Sequence, residues 1–182
     1  MPLAQTQKLL ARLYTDENLR RKFLSEPDKI GREFNLTDDE IAELASVMPE
    51  ELNFFADSLF YKRLREVEKL LPQSKKALSD DFEKRFREFS NTFLPTSIKK
   101  HLEDAVQFSD FLIEQKIKQI WLKDLIRYEQ ANLIFNGYGK TFLIRRFAFD
   151  VKGISRKGAK AQRKLTIAVW LRIGGKIRHF VW

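Results

Sequence analysis

The hydrophobic positions in the first 71 residues recur at the three- and four-residue steps of short amphipathic helices. Residues that commonly begin helices precede several of these repeats. Thr15 or Asp16 is placed to cap the second predicted helix, and Pro27 suits the first turn of the third. Thr37 and Glu40 match a capping box, in which each side chain bonds to the other residue's backbone amide.

The longest predicted helix begins at Pro49 and runs for about six turns to Leu71. Pro72 ends it, because proline disfavours a helical conformation in the residue before it. The polar stretch 72–76 is the best candidate for a boundary between subdomains. The sequence therefore predicts a helical subdomain over residues 1–72.

A second helical layer is predicted over residues 73–139. Its first helix is capped by the polar stretch 79–81 and carries four phenylalanines on one face, which we expect to be buried in a core. These are Phe82, Phe86, Phe89 and Phe93. Further helical periodicity follows Pro95, and the stretch 136–139, with two glycines and an asparagine, ends it.

From residue 140 onward the hydrophobic period changes to two, which predicts strands. Apolar residues alternate after Thr141 and again on both sides of Gly174 and Gly175. These two glycines indicate a tight hairpin, because primed turns need positive φ. We therefore expect a small basic β-sheet over residues 140–182, packed on the helices. The predicted fold class is α+β, predominantly helical with a small C-terminal antiparallel β-sheet.

The two faces of the predicted hairpin are expected to differ in role. One face is expected to lie on the helices, and the other to offer aromatic and cationic groups to a partner. With one arginine from the preceding strand, the candidate partner-binding residues are Trp170, Arg172, Arg178, Phe180, Trp182 and Arg145.

Basic residues are concentrated in the same carboxy-terminal part. Residues 140–182 contain twelve Lys or Arg and a single acid, Asp150, whereas the whole chain has a net charge of +9. The first 139 residues are therefore slightly acidic. This asymmetry indicates a surface that meets an anionic or peptide-like partner. An alternative explanation applies to the strand arginines Arg145, Arg146, Arg172 and Arg178, since basic edge strands discourage sheet-to-sheet aggregation.

Residues 153–164 separate the predicted strands and are rich in cations and poor in large apolar groups. That composition predicts a mobile loop. The part from Ser155 to Arg163 resembles interspersed repeat sequences that some bacterial genomes insert in frame. If it is such a passenger, its cations were not selected for binding.

The sequence offers little for catalysis. The absence of cysteine excludes disulfides and thiolate metal sites. Neither His101 nor His179 has a second ligand of the usual kind at i+3 or i+4, and Glu103 and Asp104 beside His101 are a weak indication of a site. No nucleophile elbow or phosphate-binding glycine loop is present. We therefore expect a protein that is not an enzyme and holds no cofactor or metal. The first residues lack the pattern of a secretion signal, so a cytoplasmic location without membrane insertion is expected.

Two short stretches resemble parts of known bacterial proteins. Residues 104–108 and 125–131, followed by the strand-rich tail, are similar to the middle and end of a loose bacterial group, roughly over residues 80–182. That group includes proteins that carry a DNA-binding-domain name and partner subunits of iron enzymes that modify ribosomally made peptides, as in methanobactin assembly. The resemblance implies a helical domain plus a small β domain that holds the peptide leader and docks on the iron enzyme.

A second resemblance concerns the amino-terminal helices. The segment from Phe23 to Ile41 is similar to the small helical subunit of aromatic ring-opening dioxygenases. In those enzymes the metal ligands lie in the large subunit, and the small one contributes packing and substrate enclosure. Both resemblances therefore imply an accessory module that works beside an enzyme.

Two functions follow from these observations. The first is a non-catalytic partner or peptide-recognition (adaptor) protein, in a setting such as ribosomal peptide modification, whose partner is a peptide or a protein such as a metalloenzyme. The alternative is a nucleic-acid-binding regulator, because clustered cations release counterions from phosphates and aromatic residues in strands can stack on bases. The glycine-rich aromatic signature of an RNA-recognition sheet is missing, so the adaptor is the first expectation.

Overall fold

The computed structural model describes residues 2–153 and 163–182. The described helices are α1 (Pro2–Thr15), α2 (Glu17–Ser25), α3 (Pro27–Glu33), α4 (Asp38–Ala45), α5 (Pro49–Leu70), α6 (Pro72–Leu78), α7 (Asp80–Ser90), α8 (Lys100–Glu114) and α9 (Ile120–Gly137). The strands are β1 (Phe142–Phe149), β2 (Arg163–Ile173) and β3 (Lys176–Val181). The predicted fold class is confirmed: the protein is predominantly helical α+β with a small antiparallel sheet at its carboxy-terminal end.

The chain forms two compact units. The first comprises the residues up to Leu64 together with Arg87–Leu94, and the second comprises Arg65–Phe86 and Pro95–Trp182. The sheet and its supporting helices α8 and α9 therefore belong to the second unit.

Helix starts in the first unit follow the predicted caps. The Asp16 carboxylate accepts a hydrogen bond of 2.9 Å from the amide of Leu19, and Thr37 and Glu40 form the complete capping box. Pro27 stands at the first turn of α3. The core of this unit consists of buried aliphatic and aromatic side chains, namely Leu9, Leu13, Phe23, Ile30, Leu36, Ile41, Leu44 and Leu52.

The predicted linker at residues 72–76 is instead the first part of α6. Pro72 ends α5 but also stands at the first turn of the next helix, a position where its missing amide costs nothing. Ser74 is fully buried, and its amide and hydroxyl both donate to the Glu129 carboxylate on α9. The polar composition of this stretch therefore serves a buried contact within the second unit.

Three of the four phenylalanines of the predicted stripe are buried, and Phe93 is half-buried. In the second unit, Phe82 and Phe86 lie edge-on to Phe108 of α8, with ring centroids 5.2 and 5.1 Å apart. In the first unit, Phe89 is buried and stacks on Phe93. Phe82, Phe86 and Phe89 are thus interior residues of their units, which confirms the predicted burial for these three side chains.

The sheet has the order β1-β2-β3, and both strand pairs are antiparallel. Gly174 and Gly175 form the tight hairpin turn between β2 and β3, with φ angles of 56° and 76°. Both angles lie in the left-handed region that glycine adopts without strain. The predicted hairpin is therefore confirmed. The loop predicted at residues 153–164 lies outside the described residues except at its ends.

Candidate partner-binding face

The two sides of the sheet differ sharply in their surroundings. In the hairpin, Ile173 pairs with Lys176, so each later pair joins an odd-numbered residue with an even-numbered one. Trp170 consequently lies opposite His179, and Val169 lies opposite Phe180. Directly paired residues of an antiparallel sheet point to the same side. We call the side that carries Trp170 the inner face, because it lies against α9, and the opposite side the outer face.

The inner face forms a small core with α9. It contains the buried side chains of Phe147, Ala168 and Trp170 together with Ala131 and Phe135 of the helix.

Trp170 is the centre of this core and is only 1% exposed. Its indole Nε1–H donates a hydrogen bond of 2.7 Å to the Asn132 side-chain oxygen, and its ring stacks on His179 at a centroid distance of 4.6 Å. Tyr128 contacts both rings. The prediction that Trp170 is displayed beside Phe180 and Trp182 is therefore wrong, because the two-residue turn places it on the other face.

Arg172 also lies on the inner side and is half-buried. Its guanidinium group lies over the Phe135 ring, 5.5 Å from the centroid, and its Nε donates to the carbonyl of Lys140. The predicted grouping of Arg172 with Arg178 on one face is wrong for the same reason. Arg145 pairs with Ala168, and its exposed guanidinium group donates to the carbonyl of Ile144.

The outer face is an exposed surface that is chiefly aliphatic. Its central row consists of the aliphatic residues at odd-numbered positions of β2: Leu165, Ile167, Val169, Leu171 and Ile173. Phe142 and Ile144 flank this row from β1, and Phe180 and Trp182 flank it from the β3 side. Phe142 is 56% exposed and Trp182 is 64% exposed, and the aliphatic residues between them are exposed or half-buried. The register thus brings together nine apolar residues on one solvent-facing surface.

Cations stand at both margins of the outer face. Arg146 of β1 lies opposite Ile167, and Arg178 of β3 lies opposite Leu171. Both arginines are exposed, and neither forms an ion pair with a described residue. The three described strands contain no Asp or Glu. The outer face is therefore an apolar surface with positive margins.

Phe180 and Trp182 form an aromatic pair on this face. Their rings stack with a centroid distance of 5.7 Å and an interplanar angle of 14°. Arg178, Phe180 and Trp182 are the predicted partner-binding residues that the structure brings together. The prediction missed Phe142, Ile144 and the aliphatic row of β2. Strand alternation and the two-residue turn are sufficient to find them.

The polar residues of the stretch 125–131 and its neighbour Asp124 have structural contacts. Asp124 accepts hydrogen bonds of 2.6 and 3.1 Å from the amides of Ala148 and Phe149, which fixes the end of β1. Glu129 accepts from the start of α6, and burial raises the pKa of its carboxyl while the bonds from Ser74 and Gln73 oppose that shift. Asp124 and Glu129 therefore connect α9 to the end of β1 and to the start of α6.

The first unit carries a separate exposed apolar patch at the start of α5. Phe54 is 69% exposed, and Phe55 beside it is also exposed. Glu50 and Glu51 precede these aromatic residues in the first turn of the helix. Unlike the outer face of the sheet, this patch is bordered by acids.

Among the described residues, no group of three or more His, Asp or Glu is arranged to hold a metal ion. Within the same ranges, no helix is long and apolar enough to cross a membrane.

Comparison with known proteins found no family model and no curated protein that the chain matches.

Proposed function

We propose that this chain is a non-catalytic partner protein, an adaptor, that recognises a segment of another protein on the outer face of its sheet. The observation that carries the proposal is the exposed, contiguous apolar surface between Phe142 and Trp182. Large apolar patches with polar margins are typical of sites where proteins meet. Burial of such a surface is favourable, at about 25 cal/mol for each Å² that leaves water.

The chemistry of the face favours a protein segment over nucleic acid. Its centre is a row of aliphatic side chains, which have no π-system on which a base can stack. Aliphatic side chains instead gain most from contact with other apolar side chains. A peptide in the course of ribosomal modification, held next to a metalloenzyme in the cytoplasm, is one setting that fits this chemistry and the resemblances above.

A nucleic-acid-binding regulator is the second candidate, and one specific observation favours it. The stacked pair Phe180 and Trp182 lies on the outer face beside Arg178, along the β3 side of the sheet. Aromatic residues beside arginines on a sheet are suited to hold single-stranded nucleic acid. The carboxy-terminal excess of cations would attract the phosphates.

A peptide-display selection on the folded protein tests the adaptor function. We expect the selection to enrich peptides that bind the wild type, and we expect Ile167→Ser with Trp182→Ser to abolish that binding. Phe54→Ser is the matched control, because it removes an equally exposed aromatic residue from the first unit. Enrichment of peptides that bind the double variant as well would contradict the proposal.

An oligonucleotide titration separates the two candidates. Single- and double-stranded oligonucleotides would be titrated at salt concentrations from about 50 to 200 mM, where several phosphate contacts cost on the order of 10³-fold in affinity. We expect no binding at the lowest salt. Micromolar binding with a steep salt dependence that Arg146→Ala with Arg178→Ala removes would make the regulator the better assignment.

A further inference from the structure

We infer that the segment which docks on the outer face is an acidic amphipathic helix lying along β2. This inference rests on the proposed function and adds the chemistry and conformation of the partner. Three features of the face carry it: its dimensions, the way its side chains must be covered, and the placement of its cations.

The dimensions of the face match a single helix. Adjacent strands lie about 4.8 Å apart, so the cations of β1 and β3 stand on rows separated by roughly 10 Å. That separation is close to the diameter of an α-helix with its side chains, which is about 10–12 Å. The aliphatic row from Leu165 to Ile173 is about 27 Å long at about 3.4 Å per residue. A helix of about 18 residues covers that length.

A helix across the outer face would also bury the aliphatic side chains of β2. A peptide strand added to an edge pairs with backbone groups of β1 or β3 and lies in the plane of the sheet. It therefore leaves the central aliphatic row of β2 in water. An element that crosses the face buries the row, and helix on sheet is a common packing of two layers. The inner face of the same sheet is already covered in this way by α9.

The cations define the charge of the partner. Arg146 and Arg178 stand on opposite margins, beside Ile167 and Leu171 of the central row. A helix seated on that row has one flank near each arginine. Glu or Asp on both flanks would meet these cations, whereas Lys or Arg there would be repelled. A second sheet of the same chain is disfavoured for this reason, since its margins are also positive.

Three labelled peptides of about 18 residues test the inference by fluorescence anisotropy on the full chain. The first places leucines at helical spacing with glutamates on both flanks. The second keeps the leucines and replaces every glutamate by lysine. The third has the composition of the first in a strict two-residue alternation, which favours an extended conformation. We expect the first peptide to bind at least about tenfold more tightly than either of the others at low salt.

Two variants of the outer face and one control variant test how the peptides are bound. Arg146→Glu with Arg178→Glu should reverse the preference, so that the lysine peptide binds more tightly than the glutamate peptide. Trp182→Ser should weaken the binding of both peptides, and Phe54→Ser should change the binding of neither. Circular dichroism should show that the glutamate peptide gains helix on binding.

Several results would overturn the inference. Equal binding of the glutamate and lysine peptides would show that the partner need not be acidic. Tighter binding of the alternating peptide would show that the partner is extended and not helical. Failure of all three peptides would also overturn it, while the display selection would still decide the proposed function independently. Sedimentation of the protein alone completes the test, because a dimer that Trp182→Ser dissociates would identify a second copy of the chain as the occupant.

Discussion

Trp170 and His179 face each other across the β2-β3 hairpin, and their rings stack 4.6 Å apart on the side of the sheet that lies against α9. The buried Trp170 ring marks the side of the sheet that lies against the helix. Because Trp170 is inside, its neighbours Val169 and Leu171 point outward, and Phe180 and Trp182 point outward with them. The candidate binding face is thus a consequence of where one tryptophan is buried.

Replacement of Trp170 should destabilise the protein strongly, whereas replacement of Trp182 should hardly change its stability. Trp170→Ala removes a buried ring and its hydrogen bond to Asn132, so we expect a loss of about 3–5 kcal/mol in the free energy of unfolding. Trp182→Ala removes an exposed ring and should change stability by no more than about 0.5 kcal/mol. Urea denaturation followed by circular dichroism measures both.

If Trp170→Ala does not fold, Trp170→Phe provides the measurement, since it keeps an aromatic ring and removes only the indole donor. A smaller loss is then expected, from the unpaired oxygen of Asn132 and the reduced packing. Equal stability of the Trp170 and Trp182 variants would contradict the assignment of the two faces.

The sequence contains enough information to assign residues to the two faces of the sheet, but the predicted assignment is wrong. Across a two-residue turn, paired positions are always one odd and one even, because Ile173 and Lys176 enclose the two glycines. The predicted set of partner-binding residues instead groups the even-numbered Trp170 with the even-numbered Phe180. Which face lies on the helices is harder to predict. The buried positions beside Trp170 include Thr166 and Ala168, which are less apolar than the aliphatic residues of the outer row.

The hairpin turn itself gives a second prediction. Gly174 and Gly175 have positive φ, and an added Cβ at either position meets no atom within 4 Å. Valine at either position should therefore destabilise the protein through backbone strain alone, by about 1 kcal/mol or more. Asparagine at Gly175 is the matched control, because it tolerates the left-handed region and should cost less. Thermal unfolding that is unchanged in both valine variants would exclude the strained turn.

The buried carboxylate of Glu129 gives a third prediction. One of its oxygens accepts from the amide of Gln73 and the other from the amide and hydroxyl of Ser74. Glu129→Gln replaces one acceptor by an NH₂ group, so at least one buried donor loses its partner. We expect a loss of about 1–3 kcal/mol in the free energy of unfolding. Glu114→Gln, at an exposed position of α8, is the control and should change stability by less than about 0.5 kcal/mol. Equal stability of the two variants would show that the contact contributes nothing.

Sequence signals between neighbouring residues predict where helices begin, whereas contacts between residues far apart in the chain cannot be predicted from such signals. The cap at Asp16 and the box at Thr37 and Glu40 are formed by residues three positions apart, so the chain needs no tertiary partner to specify them. Glu129 reaches Ser74 across 55 positions. A sequence pattern contains no information on that contact, and the polar composition of residues 72–76 therefore predicts a boundary between subdomains where the chain forms a buried contact.

The last prediction concerns the pH dependence of stability. Burial and the nearby charge of Lys152 lower the pKa of His179 below its ordinary value of 6.5. The unfolded state therefore binds a proton more readily than the folded state, and stability should fall as pH decreases below 6.5, by at most about 1.4 kcal/mol per pH unit. His179→Phe keeps a ring against Trp170 but removes the titration, so this part of the slope should disappear. His101→Gln, at an exposed histidine, should leave it in place. Urea unfolding of the three proteins at pH values from about 7.5 to 5 measures the effect. A slope that persists in His179→Phe would assign the acid sensitivity to other groups.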